Sequence, residues 1–423
     1  MTDSVTITDN RTGRSVEIPI ADGSVSSTPF SELLPGILFY DPGLAATALC
    51  ESAITYIDGD AGILLHRGYP IEQLVEKSSY LELAYLLIHG ELPTVDELEV
   101  WTDEIIQRTA VRESLVDRFL TGFEPDAHPM GILVSAVAAL STFYPEARAI
   151  FDPSLRHLQV VRLIAKMPTI AAAAYRFSTG QPCVRPDRTM SFPENFLSMM
   201  WKTGDTRYEA DPVLVRAMDV LFMLHADHEQ NCSTTTMRIV GSAHADPYAC
   251  AAAACAGLYG PRHGGANEQV VRMLTTIGSV ENVDVFIRAV KEGHGRIQGF
   301  GHRVYKNYDP RATIMREIAY EVFKVTGKNP LLDIALKLEE VALADEYFTT
   351  RRLYPNVDFY SGLIYEAMGF PAEMFTVLFA IARTAGWVAH WVEMLTVNDR
   401  IARPRQIYTG ATRREFVPIE DRD

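Results

Sequence analysis

Residues 81–97 read LELAYLLIHGELPTVDE, and their punctuation decides the fold class. Leu81, Tyr85 and Ile88 recur at the three-and-four spacing that shares one helix face, and Gly90 supplies the left-handed stop that ends the helix. Thr94 opens a second helix, because its hydroxyl and the Glu97 carboxylate three residues on cap each other's free backbone N–H groups. Helical period broken by Pro and Gly continues from about residue 70 to residue 400, with no strand–helix–strand alternation. Two strand pairs precede it. Residues 5–20, VTITDNRTGRSVEIPI, alternate apolar and polar around an Asn/Gly turn, and AITYID and GILLHRG flank the turn DGDAG. The expected fold is all-α, mainly helical, with a small β-rich N-terminal segment. Any second domain is an insertion packed on the first.

Composition narrows the function classes. The 423 residues are 48% hydrophobic, enough for a large core, and carry a formal charge of −15. That acidity speaks against nucleic acid or an anionic membrane as partner. The apolar runs at 130–144 and after Arg383 are cut short of a membrane span by Pro145 and Glu393. The opening MTDSVTITDN lacks the layout of a signal peptide. Five cysteines (Cys50, Cys183, Cys232, Cys250, Cys255) form no CxxC pair, which excludes a zinc ribbon or disulfide scaffold and points to a reducing cytoplasm. Cys250 and Cys255 read as small buried thiols. Against the acidic background, residues 291–316 carry six Lys/Arg and two acids, and 383–414 six arginines and two acids. Such islands serve a small anionic ligand or are ordinary surface charge.

Four polar clusters interrupt the apolar helices. In HADHEQNCSTTT (225–236), His225 and His228 are spaced to share a helix face, but the order is not the zincin HExxH. In GPRHGGANE (260–268), Gly264 and Gly265 feed a helix N-terminus whose field disfavours imidazolium, so His263 reads either as a packed turn residue or as a neutral hydrogen-bond donor to an enolate. In QGFGHRVYKNYDPRA (298–312), Gly299 and Gly301 bracket Phe300, His302 follows, and Arg303, Lys306 and Arg311 supply positive charge. In YPNVDFYSG (354–362), Asp358 stands among apolar residues that would raise its basicity, with helix capping as the competing reading. Arg383, alone on the apolar AIARTAGWVAHW (380–391), needs an anionic partner. Arg403 and Arg405 lie in IARPRQIY (401–408).

In this order and spacing, with IDGDAGILLHRGYPIEQL (57–74) and GELPT (90–94) upstream, the motifs resemble citrate synthase of the bacterial type from about residue 50 to the C-terminus. The resemblance implies a helical homo-oligomer, at least a dimer and in some relatives a hexamer. Its expected parts are a β-rich segment (1–65), a large domain (66–267 and 373–423) and a small helical domain (268–372), with the active site in the cleft. It implies condensation of acetyl-CoA with oxaloacetate, then hydrolysis of citryl-CoA, the first step of the tricarboxylic acid cycle, with no metal or redox cofactor. Asp358 matches the base, His263 the enolate-stabilising group and His302 the group that polarises the ketone. His228, Arg311, Arg383 and Arg403 match the oxaloacetate ligands, Arg403 reaching in from the other subunit. Lys306 and the loop Gly299–Phe300–Gly301 match CoA contacts, and Ser233 a supporting residue. Two alternatives stand beside it: 2-methylcitrate synthase, using propionyl-CoA, and a metalloenzyme with His225, His228 and His263 as ligands.

Overall fold

The computed structural model describes residues 3–327, 329–397 and 400–422. Its contacts divide the chain into two compact units, one of Met1–Glu51 with Ala402–Asp423 and one of Ser52–Ile401.

The smaller unit opens with the expected hairpin. Strands β1 (Ser4–Asp9) and β2 (Arg14–Pro19) pair antiparallel from Ser4↔Pro19 to Asp9↔Arg14. The Asp9 carboxylate closes the turn by accepting the Arg11 backbone N–H at 3.0 Å. Beyond the hairpin the unit has little regular structure and exposes Phe39, Tyr40, Tyr408 and Phe416.

The larger unit begins with β3 (Thr55–Asp58), β4 (Ile63–His66) and β5 (Tyr69–Pro70), joined antiparallel in that order. Helices follow. The Tyr80–His89 helix is capped by Ser79 and stopped by Gly90 at φ +96°. Thr94 and Glu97 form the expected capping box at the head of the Val95–Ile106 helix. The face that holds Leu81, Tyr85 and Ile88 is the shallower one: Leu83, Ala84, Leu86 and Leu87 are sealed in the core, while Tyr85 and Ile88 are half-buried. Tyr85 instead meets Trp101 edge-on, and the Trp101 indole N–H donates to the Leu81 carbonyl.

The core is threaded by the Phe375–Val397 helix. The apolar segment Ala372–Val397 is long enough to cross a membrane, which the sequence reading missed by stopping at Glu393, but 89% of its apolar window is buried inside the protein. It is a core helix. Gly386 lies mid-helix because a Cβ there would collide with the Ala226 carbonyl and Asp227 Oδ1.

Candidate active site

One segment of the site is built by Asp309. This residue caps the Pro310–Thr326 helix, and its carboxylate holds Arg311 through Nε at 3.0 Å and Nη2 at 2.8 Å. It also accepts the Val357 N–H at 3.2 Å, immediately before Asp358. The loop before it is equally fixed. Gly299 and Gly301, at φ +74° and +76°, let the chain run beside residues 354–356: the Gly301 N–H donates to the Tyr354 carbonyl and the Asn356 N–H to the Gly299 carbonyl. Phe300 between them is buried edge-on against Phe359.

This framework fixes the tautomer of His302. Its Nδ1 accepts the backbone N–H groups of Val304 at 3.0 Å and Tyr305 at 3.2 Å, so the proton sits on Nε2. Burial, then the Arg311 charge, lowers its pKa to about 4, which keeps it a neutral donor. His228 packs on it with ring centroids 5.2 Å apart, its Nε2 3.3 Å from the Tyr305 hydroxyl.

A second segment, residues 225–233, is held by one face of the long core helix. Arg383 Nε donates to the His225 carbonyl at 2.7 Å, the Trp387 indole N–H to Ser233 Oγ at 3.0 Å, and His390 Nε2 lies 3.2 Å from Asp227 Oδ2. Spacings of four, then three, put these donors on one side of the helix. The Pro212–His225 helix ends at His225, so His228 sits in the loop beyond it and the expected shared helix face does not form. Ser233 Oγ is 2.9 Å from His263 Nε2, and Phe379 packs edge-on to the His263 ring.

His263 precedes the Ala266–Ile277 helix, with Gly265 as its N-cap. Burial, then the charge of Arg383, brings its pKa down to about 3. The neutrality expected at the head of this helix has burial as a cause of its own, with the ring packed edge-on against Phe379 and 2.9 Å from Ser233 Oγ.

Asp358 is the first residue of the Asp358–Ala367 helix, not its cap, which is Val357. Its Oδ1 is shut off from solvent and has no hydrogen-bond partner among the described residues. Burial raises its pKa to about 6, although the charges of Arg311 and Arg383 oppose the rise. Arg383 is itself 1% exposed, rests over the Phe379 ring, and leaves Nη1 without a partner among the described residues. Burial brings its pKa down to about 10. A buried guanidinium with Nη1 unpartnered among the described residues, within the field of a second one on Arg311, is a seat for a small dianion.

The residue pattern has counterparts in known proteins. The family described as citrate synthase, C-terminal domain, matches residues 43–405. The chain is 51% identical to a citrate synthase of Dictyostelium discoideum, over 99% of this chain and 84% of that one. It is 48% identical to a glyoxysomal citrate synthase of Cucurbita maxima, with the same coverage. The chain belongs to the citrate synthase family. Among solved structures, the citrate synthase of Pyrobaculum aerophilum superposes with a TM-score of 0.85 at 38% identity, covering 92% of this chain and 98% of that one. The Thermoplasma acidophilum citrate synthase, solved as a ternary complex with carboxymethyl coenzyme A and oxaloacetate, gives 0.82 at 31% identity, covering 90% and 98%.

The citrate synthase fold thus gathers His228, Ser233, His263, His302, Arg311, Asp358 and Arg383 within one unit. Lys306 is exposed beside the His302 loop, its Nζ 3.1 Å from the Arg303 carbonyl. Arg403 belongs to the other unit, where it is exposed. His225 turns its Nδ1 to the Leu221 carbonyl, and among the described residues no three His, Cys, Asp or Glu side chains converge as metal ligands. Sequence reasoning missed Asp227, Asp309, Tyr305, Asn356, Trp387 and His390. The spacing Arg383–Trp387–His390 was the available signal for two of them.

Proposed function

We propose that this chain condenses acetyl-CoA with oxaloacetate and hydrolyses the resulting citryl-CoA to citrate and free CoA. The supporting observation is Asp358, a carboxylate with one oxygen buried and unpartnered among the described residues and a pKa raised to about 6. A thioester methyl is a weak carbon acid, and a fully solvated carboxylate is too weak a base to take its proton.

Asp358 removes the methyl proton while His263, through Nδ1–H, donates to the thioester oxygen as it gains enolate character. The enolate carbon attacks the ketone carbon of oxaloacetate. The ketone π pair moves onto its oxygen, which takes the proton of His302 Nε2. Water then adds to the thioester carbonyl and the CoA thiol leaves. Arg311 and Arg383 clamp the two carboxylates of oxaloacetate, with His228 as a further contact. Both proton transfers are assigned to side chains of the chain itself, so no metal or redox cofactor enters the proposal.

CoA lies along the Gly299–Gly301 loop with Lys306 toward its phosphates. Because the Phe300 ring is buried against Phe359, that loop contributes backbone rather than an aromatic face. A homodimer in which Arg403 enters the site of the second copy supplies the third arginine for oxaloacetate, and the apolar side chains exposed on the smaller unit favour such an assembly. Residues 268–372, as a small domain, close over oxaloacetate and exclude water, which protects the enolate and the thioester. Five free thiols suit a reducing compartment such as the cytoplasm.

The test is release of CoA thiol from acetyl-CoA and from propionyl-CoA, each with oxaloacetate. Faster, oxaloacetate-dependent release from acetyl-CoA is expected. No release from either thioester would overturn the assignment, and a clear preference for propionyl-CoA would replace it with 2-methylcitrate synthesis.

A further inference from the structure

We propose that Asp309 is a positioning residue for the condensation, holding the oxaloacetate-binding guanidinium of Arg311 and the base-bearing helix of Asp358 in a fixed relation. The inference rests on the functional reading above and adds to it a residue that touches neither substrate.

The Asp309 carboxylate is saturated. Oδ1 accepts the Arg311 backbone N–H and Nε–H, both at 3.0 Å, and Oδ2 accepts Nη2–H at 2.8 Å and the Val357 N–H at 3.2 Å. Four donors fill the acceptor sites of one ionised carboxylate. Both side chains are buried, 1% exposed for Asp309 and 3% for Arg311, so neither has water as a substitute partner. Two consequences follow from the geometry. The Nε edge of the guanidinium is committed to Asp309, which leaves Nη1 and one Nη2 hydrogen to face a ligand. The Val357 N–H is tied to the same carboxylate, and Val357 is the residue on which the Asp358 helix starts. A shift of Asp309 therefore moves the carboxylate clamp and the base together.

Charge supplies a readout that packing alone would not move. The charged and titratable groups acting on Asp358 are Arg311 and Asp309 from the start of the Pro310–Thr326 helix, Arg383 from the long core helix and Tyr365 from its own helix. Asp309 repels the Asp358 anion directly and also neutralises Arg311. Removing its charge while keeping its shape makes ionised Asp358 easier to form.

The experiment compares Asp309→Asn with Val357→Pro. In Asp309→Asn an amide N–H faces the Arg311 or Val357 donors, so at least one tie breaks. Val357 sits at φ −55°, which proline adopts, so Val357→Pro deletes the N–H tie and leaves the charges in place, exchanging one buried apolar side chain for another of similar size. For Asp309→Asn, calorimetric oxaloacetate Kd is expected to rise about tenfold or more, as for one lost charge-assisted hydrogen bond. Its kcat should fall about a hundredfold, as for an ångström-scale misplacement, and the acid limb of kcat should move to lower pH. For Val357→Pro, kcat should fall while oxaloacetate Kd and the acid limb stay at wild-type values. A folded Asp309→Asn enzyme with unchanged Kd and acid limb would overturn the proposal, and so would wild-type kcat in Val357→Pro. If Asp309→Asn fails to fold, the Val357→Pro result decides alone. Failure of the functional reading would look different: the wild-type protein itself would release no thiol.

Discussion

Ser233 Oγ lies 2.9 Å from His263 Nε2, and this contact determines which imidazole nitrogen is left for a ligand. The hydroxyl accepts the Trp387 indole N–H and has one proton to give. Asn231 Oδ1, which also takes the Thr234 N–H, accepts that proton at 2.8 Å. The contact thus occupies Nε2 and leaves Nδ1 as the nitrogen without a protein partner among the described residues; Nδ1 carries the ring proton when the hydroxyl turns from Asn231 to His263. Ser233→Ala should lower kcat about tenfold by losing the hydroxyl that orients this ring, less than the loss of an enolate donor itself. Oxaloacetate affinity, measured by calorimetry, should stay at the wild-type value.

Arg383 carries a buried charge whose Nη1 has no partner among the described residues. Oxaloacetate should raise the Tm of the wild-type protein, because a ligand at a hundred times its Kd adds about 2.7 kcal/mol to stability. In Arg383→Gln that ligand-induced rise should vanish, while the unliganded Tm changes by less than the shift that is lost. Scanning calorimetry with and without oxaloacetate makes the comparison, and a retained shift would remove Arg383 from the clamp.

Gly386 reverses the usual helix rule. An interior Gly→Ala change ordinarily stabilises a helix by up to about 1 kcal/mol. Here the new methyl would strike the Ala226 carbonyl and Asp227 Oδ1. Overpacking of this kind costs about 1–3 kcal/mol. Gly386→Ala should therefore lower stability in urea unfolding and weaken oxaloacetate binding, since Asp227 directly precedes His228.

These residues show what the sequence made legible. The residues that meet the ligand stand in short motifs whose types announce their chemistry, such as His263 between Arg262 and two glycines. The helical class followed from period and caps, as at Thr94–Glu97. The residues that aim the site were not legible, because their partners are remote in sequence. Asp309 meets Val357 and Asp227 meets His390 only after the chain has folded. Periodicity also misjudged which face of the Tyr80–His89 helix goes deepest, because neighbours cover it on several sides. Neutrality of His263 likewise depends on burial, which local sequence does not display.

The pKa of Asp358 has a consequence for stability as well as rate. Folding raises it from an ordinary 3.8 to about 6 by burial. The folded state thus binds the proton more tightly, so this group's contribution falls as pH rises from about 4 through 6 and is constant above. The cost of holding the anion in place approaches about 3 kcal/mol. Asp358→Asn should therefore raise Tm at pH 8 and leave it nearly unchanged at pH 4.

The most direct measurement of the central claim is oxaloacetate-dependent thiol release by wild type and Asp358→Asn across pH, with oxaloacetate binding followed in parallel by calorimetry. Wild-type kcat/KM should fall on acidification with a midpoint near pH 6, while Asp358→Asn should bind oxaloacetate and release no thiol. Turnover in Asp358→Asn with the wild-type acid limb would contradict the assignment of Asp358 as the base.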